Sequence, residues 1–444
     1  MAFSVSSAKV SITPTIAQNP YMAGYGAQGA ARTVTSSTPY SQPLYVRCVV
    51  LWEDGYPHAI IGVDVLAIPR AMNQSIRQRL LPLAGWSNSD ITLNANHTHN
   101  GPVLIDMLQP YTAYGLSDLT LVRSYSDWLE DRIVSAVQSA LNAARTSVSM
   151  EYATTTASIA FNRVGLSEVE RTVSIIIARA GNGSPRAIVW SYGCHPISAD
   201  WQERWDGDWP AGACGLLESY YGSSCMPVFL QGAAGDQNPV YPWGWSQRDS
   251  HASVLYSAVR NAVNAGGRSL SGPLLTSYTD VSLPLQTLSL STARSQYIGR
   301  FGNPWGQPAW YQRHAQVMVT RIDSGWSESS FLNPLQSWKF SGGSPLRVAL
   351  VGGEVVSAYG HLVRNENGGS NGAMFVGYAN EVSGYIPDLN FLPGGAFSDG
   401  SYEGGWEPDY PTIGGGNFTV YPHLFRFSTD APYALIDALR ANLA

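Results

Sequence analysis

Two histidines in the run Asn94-Ala95-Asn96-His97-Thr98-His99-Asn100-Gly101-Pro102 have the residue type and spacing of a metal site. They follow the apolar stretch Ser89 to Leu93, which reads as a strand, and they precede a Gly-Pro turn. In an extended chain residues i and i+2 share a face, so both imidazoles leave one strand end together. Zinc takes nitrogen ligands in a fixed tetrahedral arrangement. Two polar residues capping a strand at a loop would look the same, and spaced-histidine motifs carry that false-positive risk. Three further points could converge on this pair. In Trp190-Ser191-Tyr192-Gly193-Cys194-His195-Pro196 a strand-like run again ends on a histidine. The run Val348 to Gly353 reads as a strand and a Gly-Gly turn, with Glu354 opening a helix, where a carboxylate also complements the helix dipole. Asn380-Glu381-Val382-Ser383-Gly384-Tyr385 offers a phenol in a glycine-containing loop. Two histidines, a carboxylate and a phenol near strand ends match where α/β folds gather their sites.

The elements that must position these groups read as mixed α/β. Apolar, β-branched runs at Leu44–Trp52, His58–Val65, Thr172–Arg179, Ala187–Tyr192, Met226–Leu230 and Leu346–Val351 predict buried strands. Helical periodicity is clearest over Leu119–Ala144, where Val122, Tyr125, Leu129, Ile133, Val137 and Leu141 recur every three or four residues. Ala67–Leu81, Ala211–Tyr221, His251–Ala265 and Ala309–Ile322 predict further helices. The expectation is mixed sheets flanked by helices in a single large catalytic domain, 1–444, with lobes 1–270 and 271–444 meeting near the strand-rich Pro273–Leu290. Gly368 to Asn417, rich in glycine, proline and aromatics, reads as long functional loops.

Composition narrows the function classes. Of 444 residues 44% are hydrophobic and 13% charged, which describes a folded chain with a large core. A net charge of −6 and only two lysines, Lys9 and Lys339, argue against nucleic acid and against a polybasic membrane patch. No apolar run approaches the ~20 residues of a membrane span. Cys214 and Cys225 could pair, whereas Cys48 and Cys194 read as packing thiols. No signal peptide is visible, so the expected compartment is the cytoplasm, or the exterior if such a peptide preceded this chain. A homo-oligomer is left open.

In several segments taken in order, the sequence resembles the neutral, non-lysosomal ceramidases, zinc-dependent amidases that cleave the N-acyl bond of ceramide. Ile12-Thr13-Pro14 with Met22-Ala23-Gly24-Tyr25 resembles the family's opening segment, whose glycine lies near the active site. His97 to Pro102 is similar to its HTHSGP, and Asn162-Arg163 to the segment that supplies an arginine. Trp190 and His195, Glu354 after glycine, Asn380 to Tyr385 (NxYxGY) and Tyr402-Glu403-Gly404 (YEG) complete the resemblance. It implies the neutral-ceramidase fold, a Zn2+ cofactor held by His97, His195, Glu354 and Tyr385, and His99, Arg163 and Tyr402 around the scissile carbonyl. Gly24 and Asp236 are placed with the substrate.

Departures qualify this. In Gly232-Ala233-Ala234-Gly235-Asp236-Gln237-Asn238-Pro239, Asn238 stands where the family has a serine assigned as nucleophile. An amide nitrogen cannot take that role, but Asn238 can hydrogen-bond substrate. Pro196-Ile197 replaces threonines, the loop through Pro393-Gly394-Gly395 reads as longer, and no room remains for the family's C-terminal immunoglobulin-like domain. The expected activity is hydrolysis of an amide by zinc-bound water, on a small N-acyl substrate, lipid-like or sugar-like, other than ceramide itself. Alternatives are a metal-stabilised carbohydrate- or ligand-binding protein without catalysis, or a zinc enzyme acting on carbohydrates, esters or lactones. Asp64 and Asp236 could hold a ligand imidazole in its tautomer. Trp201, Trp205, Trp209, Tyr241, Trp243, Trp245 and Trp406 suit an acyl chain or a sugar ring, and Asp200, Glu203, Asp206 and Asp208 would make the mouth acidic.

Overall fold

In a computed structural model of the chain, the residues described are 2–25, 32–35, 41–107, 118–286, 289–302, 309–396, 402–404, 421, 423 and 426–444. The strands are β1 (Phe3–Ser11), β2 (Tyr45–Glu53), β3 (Tyr56–Val63), β4 (Ile91–Ala95), β5 (Thr146–Thr156), β6 (Ala160–Asn162), β7 (Thr172–Ala180) and β8 (Pro185–Tyr192). They continue as β9 (Met226–Gln231), β10 (Gln237–Pro239), β11 (Arg268–Pro284), β12 (Ser330–Gly342), β13 (Leu346–Val351), β14 (Glu354–Val355), β15 (Ala373–Val376) and β16 (Tyr385–Ile386). The helices are α1 (Arg70–Ala84), α2 (Thr120–Asn142), α3 (Asp208–Tyr221), α4 (Trp245–Ala265), α5 (Leu290–Ile298), α6 (Ala309–Asp323), α7 (Ser357–Glu366) and α8 (Ala431–Leu443).

Twelve strands form one branched sheet. Its path runs β15-β13-β12-β11-β5-β1-β2-β3-β4, and β7, β8 and β9 extend from β5. The predicted strands are continuous apolar runs because both faces of these strands are buried. On β2, Cys48, Val50 and Trp52 pack under the helices α1 and α2, while Val49 and Leu51 face an inner core shared with Ile176, Val189, Trp338 and Leu350. On β8, Ile188, Trp190 and Tyr192 pack with α3 and α4 while Val189 joins the inner core. On β13, Ala349 and Val351 pack toward α7 and α8. The layers are therefore helices outside and sheet faces inside, a mixed α/β architecture.

Some expectations change. The boundary at 270/271 falls inside β11, whose Arg268 to Leu270 pairs with β5 before a register shift between Ser271 and Leu274 leads into pairing with β12. Cys214 and Cys225 are both buried as free thiols; Cys214 points from α3 into the same apolar cluster as Trp190 and Phe229. Glu354 does not open a helix. It lies on β14, paired in parallel with β16, and α7 begins at Ser357. Within Gly368 to Asn417 the chain forms β15 and β16 as well as loops, and Trp406 lies outside the described residues.

Candidate metal centre and its surroundings

The carboxyl ends of β4, β8 and β13 meet at one place, and each of these strands belongs to a parallel pair, β3/β4, β8/β9 and β13/β15. His97 follows β4, His195 follows β8 and Glu354 follows β13. Glu354 Oε2 lies 3.2 Å from His97 Nε2 and 3.2 Å from His195 Nε2, and all three residues are buried. His99 Nε2 is 3.4 Å from His97 Nε2. One ligand atom from each of His97, His99 and His195 lies within 4.8 Å of the others.

The tautomers follow from the other ring nitrogens. His97 Nδ1 is 2.7 Å from the Leu66 carbonyl and His195 Nδ1 is 3.1 Å from the Gln237 carbonyl. A carbonyl only accepts, so each Nδ1 carries a hydrogen, and in the neutral ring Nε2 then presents the lone pair. Backbone carbonyls, not Asp64 or Asp236, hold these rings. Asp64 instead takes Arg47, Asn96 and the Tyr45 amide. Asp236 accepts from Asn162 at 2.7 Å and from the Ser357 amide and hydroxyl at 2.8 Å each, so its carboxylate braces β6 against the start of α7.

Burial lowers the His195 pKa to about 4, with Arg163 adding to the effect against the pull of Glu354. Burial, with His97 and His195 close by, holds His99 well below the usual histidine range. Burial pushes the Glu354 carboxyl up, but His97 and His195 hold it well below the ordinary carboxylate value. His97 Nε2 and His195 Nε2 thus face one carboxylate oxygen at contact distance. Two imidazole nitrogens and a carboxylate oxygen this close together fit a shared divalent cation, and this nitrogen and oxygen donor set suits zinc.

Two tyrosines that sequence reasoning missed complete the carboxylate. Tyr421 Oη donates to Glu354 Oε1 at 2.5 Å and Tyr378 Oη to Oε2 at 3.3 Å. Tyr385, by register, stands beside Glu354 across the β14/β16 pair. Arg163 donates to the Tyr385 hydroxyl at 3.3 Å and to Glu403 at 2.7 Å. Burial opposes the Arg163 charge, yet Glu403 and Tyr385 hold its pKa above the ordinary arginine value. The Tyr402 ring lies 5.3 Å from that of Tyr385, with Arg163 5.4 Å from its centroid. Arg163, Tyr385 and Tyr402 therefore form one group beside the cluster. Asn238, on β10, has a buried Oδ1 with no hydrogen-bond partner.

Gly24 makes room for His99. Its φ is +100°, and a Cβ there would lie 2.6 Å from His99 Cβ. Arg32, also missed and with no signal in its spacing, clamps this contact. It donates to the carbonyls of Ala23, His99 and Gln202 and to Asn100, and lies against the rings of both Tyr25 and Trp201, at 4.9 and 5.2 Å from their centroids. His97, Tyr378 and Asn380 have φ of 71°, 53° and 69°, left-handed conformations that L-residues adopt at a cost of order 1–3 kcal/mol. Their surroundings impose them: Arg77 and the Leu93 carbonyl grip Asn380, while Arg70 and Asn73 grip Glu381.

The acidic mouth is only partly realised. Asp206 and Asp208 are buried; Asp206 pairs with Arg248, and Asp208 accepts the amides of Ser198, Ala199 and Trp209. Trp205 and Trp209 are core residues, whereas Tyr241 is exposed and Trp201, Trp243 and Trp245 are half-buried. Near this segment His251 is held by Ser198 Oγ and Gln247 Nε2, each at 2.8 Å, and burial lowers its pKa to about 4. The folded-state value lies below the ~6.5 of an unfolded histidine, so its stabilising contribution is present above that pH and is lost as pH falls toward 4. Asp206, raised to about 7 by burial against the pull of Arg248, and Asp208, raised to about 6 by burial, act with the opposite sign. The expected result is that His251→Gln flattens the fall in melting temperature between pH 6.5 and 4 relative to the parent. Thermal unfolding across that range would contradict this if the two curves stayed parallel.

By sequence the chain matches no family model and no curated protein. By structure it is similar to the crystal structure of neutral ceramidase from Pseudomonas aeruginosa, with a TM-score of 0.70 and 16% identity over 99% of this chain and 75% of that one. A structure of a ceramidase complexed with C2 gives 0.67 and 15%, over 99% and 76%. No helix among the described residues is long and apolar enough to cross a membrane. Mixed sheets, outer helices and strand-end loops together make the fold of this chain that of the neutral ceramidases.

Proposed function

We propose that the chain is a zinc-dependent hydrolase of an N-acyl carbon–nitrogen bond in a small-molecule substrate. The observation that carries this reading is the meeting of His97 Nε2, His195 Nε2 and Glu354 Oε2, each histidine fixed in its tautomer by a carbonyl. His97, His195 and Glu354 would hold the ion, with Tyr385 as fourth donor. A bound zinc ion polarises a carbonyl and lowers the pKa of water toward 7.

The remaining residues have work suited to amide cleavage. His99 is neutral at pH 7, and its Nδ1 is buried without a partner. It can take a proton from the attacking water and return it to the leaving amine. Arg163 stays cationic and, with the Tyr402 phenol, offers donors to the negative charge that develops on the acyl oxygen. Water takes the place of the serine nucleophile that Asn238 replaces. Supporting the reading is the similarity in fold to ceramidase structures.

The test is a panel of N-acyl amines, N-acyl amino acids, N-acetyl sugars and ceramide, assayed for free amine with and without chelator. Chelator-sensitive release of amine from at least one member is expected. Purified protein without zinc, or a panel left intact by zinc-loaded protein, would refute the proposal.

A further inference from the structure

Beside the candidate site the chain displays aromatic faces that no core uses. Tyr241 is 64% exposed and stacks on Trp243 at 4.5 Å with an interplanar angle of 23°. The Phe161 ring lies 5.6 Å from Tyr241. The group is rigidly mounted. Trp243 Nε1 donates to the Pro239 carbonyl at 3.0 Å, Val240 is bonded to Ile159, and the Gly244 amide to Ser198. Its position follows from strand alternation. Phe161 on β6 and Asn238 on β10 are register partners and share the outward face, opposite buried Asn162 and Gln237. Arg163 is two residues beyond Phe161, and its side chain reaches Tyr385 in the candidate site. Asn238 follows Gln237, whose carbonyl holds His195 Nδ1, so the strand pair that carries Phe161 lies against the candidate site.

We infer that Phe161, Tyr241 and Trp243 form a platform for a pyranose ring, so that the substrate carries a sugar next to the N-acyl bond. An acyl chain is sheltered best in a closed apolar groove, whereas a flat, open pair of stacked rings matches the apolar C–H face of a sugar. The sugar's hydroxyls need donors and acceptors at the rim. Asn238 supplies one, since its buried Oδ1 accepts no hydrogen bond, a deficit that a donor from the ligand relieves. The inference takes from the proposed hydrolase reading only the location of the bond cleaved.

Calorimetric titration of the full chain with N,N′-diacetylchitobiose and, separately, with N-acetyl-octylamine tests it by binding, whether or not either probe is cleaved. The parent chain should bind the disaccharide, and Tyr241→Ala and Trp243→Ala should each weaken that binding about tenfold. Tyr241→Phe, which keeps the stacked ring, should bind as the parent does. Tyr241 is so exposed that its truncation leaves the fold intact, and this variant keeps the test decisive if Trp243→Ala misfolds. Equal disaccharide binding by parent and Tyr241→Ala, or parent binding of the octylamide alone or of neither probe, would overturn the platform. A chain that binds the sugar but cleaves no amide supports the platform and defeats only the hydrolase reading.

Discussion

His97→Ala should purify with only a small fraction of the zinc of the parent, while His99→Ala keeps the metal and loses roughly 10²–10⁴-fold in kcat. The two rings are neighbours, Nε2 to Nε2 at 3.4 Å, so position alone does not distinguish a ligand from a catalyst. Their second nitrogens do. His97 Nδ1 is committed to the Leu66 carbonyl, which aims Nε2 at Glu354, whereas His99 Nδ1 has no partner. A ligand gains from a fixed tautomer; a proton carrier needs a nitrogen free to exchange. Metal content by atomic emission, read beside kcat for both variants, decides the point. Equal metal loss in the two would make His99 a ligand and dismiss its proton-transfer role.

Gly24→Ala is the second large expected effect, although the added group is one methyl. The Cβ would meet His99 Cβ at 2.6 Å, Cα at 2.7 Å and Cγ at 2.7 Å, and a φ of +100° makes the substitution strained as well. Because Cα and Cβ of His99 are themselves met, relief requires moving either the segment around Gly24 or the whole of His99, backbone and ring together. The first is tied by the Ala23 amide to the Gly101 carbonyl and by Arg32 to the carbonyls of both Ala23 and His99. Displacing His99 carries its ring away from the candidate site. A displacement of about 1 Å at a catalytic group costs about 10²-fold in rate, so kcat should fall by that order with zinc content unchanged. Undiminished kcat in a folded variant would show that His99 is not held where the reaction needs it.

How much of this was legible in the sequence depended on burial. Leu346–Val351 reads as a strand and is one, because both faces of β13 pack, Leu346, Val348 and Leu350 on one and Ala349 and Val351 on the other. β1, β5 and β12, as FSVSSAKVS, TSVSMEYATTT and SFLNPLQSWKFSG, mix serine and threonine with apolar residues. Their pairing comes from neighbours distant in sequence, so no local pattern marks them. The helix read from His251 begins at Trp245, since WSQRDS carries no apolar period. The histidines and Glu354 stood out because each ends a strong strand. Tyr378 and Tyr421 did not: their role is a bond to Glu354, and Tyr421 lies 67 residues away from it. Arg32 likewise acts through carbonyls 67 and 170 residues on, at His99 and Gln202, which only the folded chain brings near.

The sheet path that joins β15 to β4 through β11 has a kinetic consequence. His195 and Glu354 are 159 residues apart, and Arg77 grips Asn380 across 303. Closing such separations requires chain entropy to be spent before any contact rewards it. The cluster of His97, His195 and Glu354 therefore assembles late, after the strand at Leu346–Val351 has docked against β12. Refolding followed by zinc uptake should lag behind refolding followed by the far-ultraviolet signal of α2 and α4, whose helices are built from local contacts.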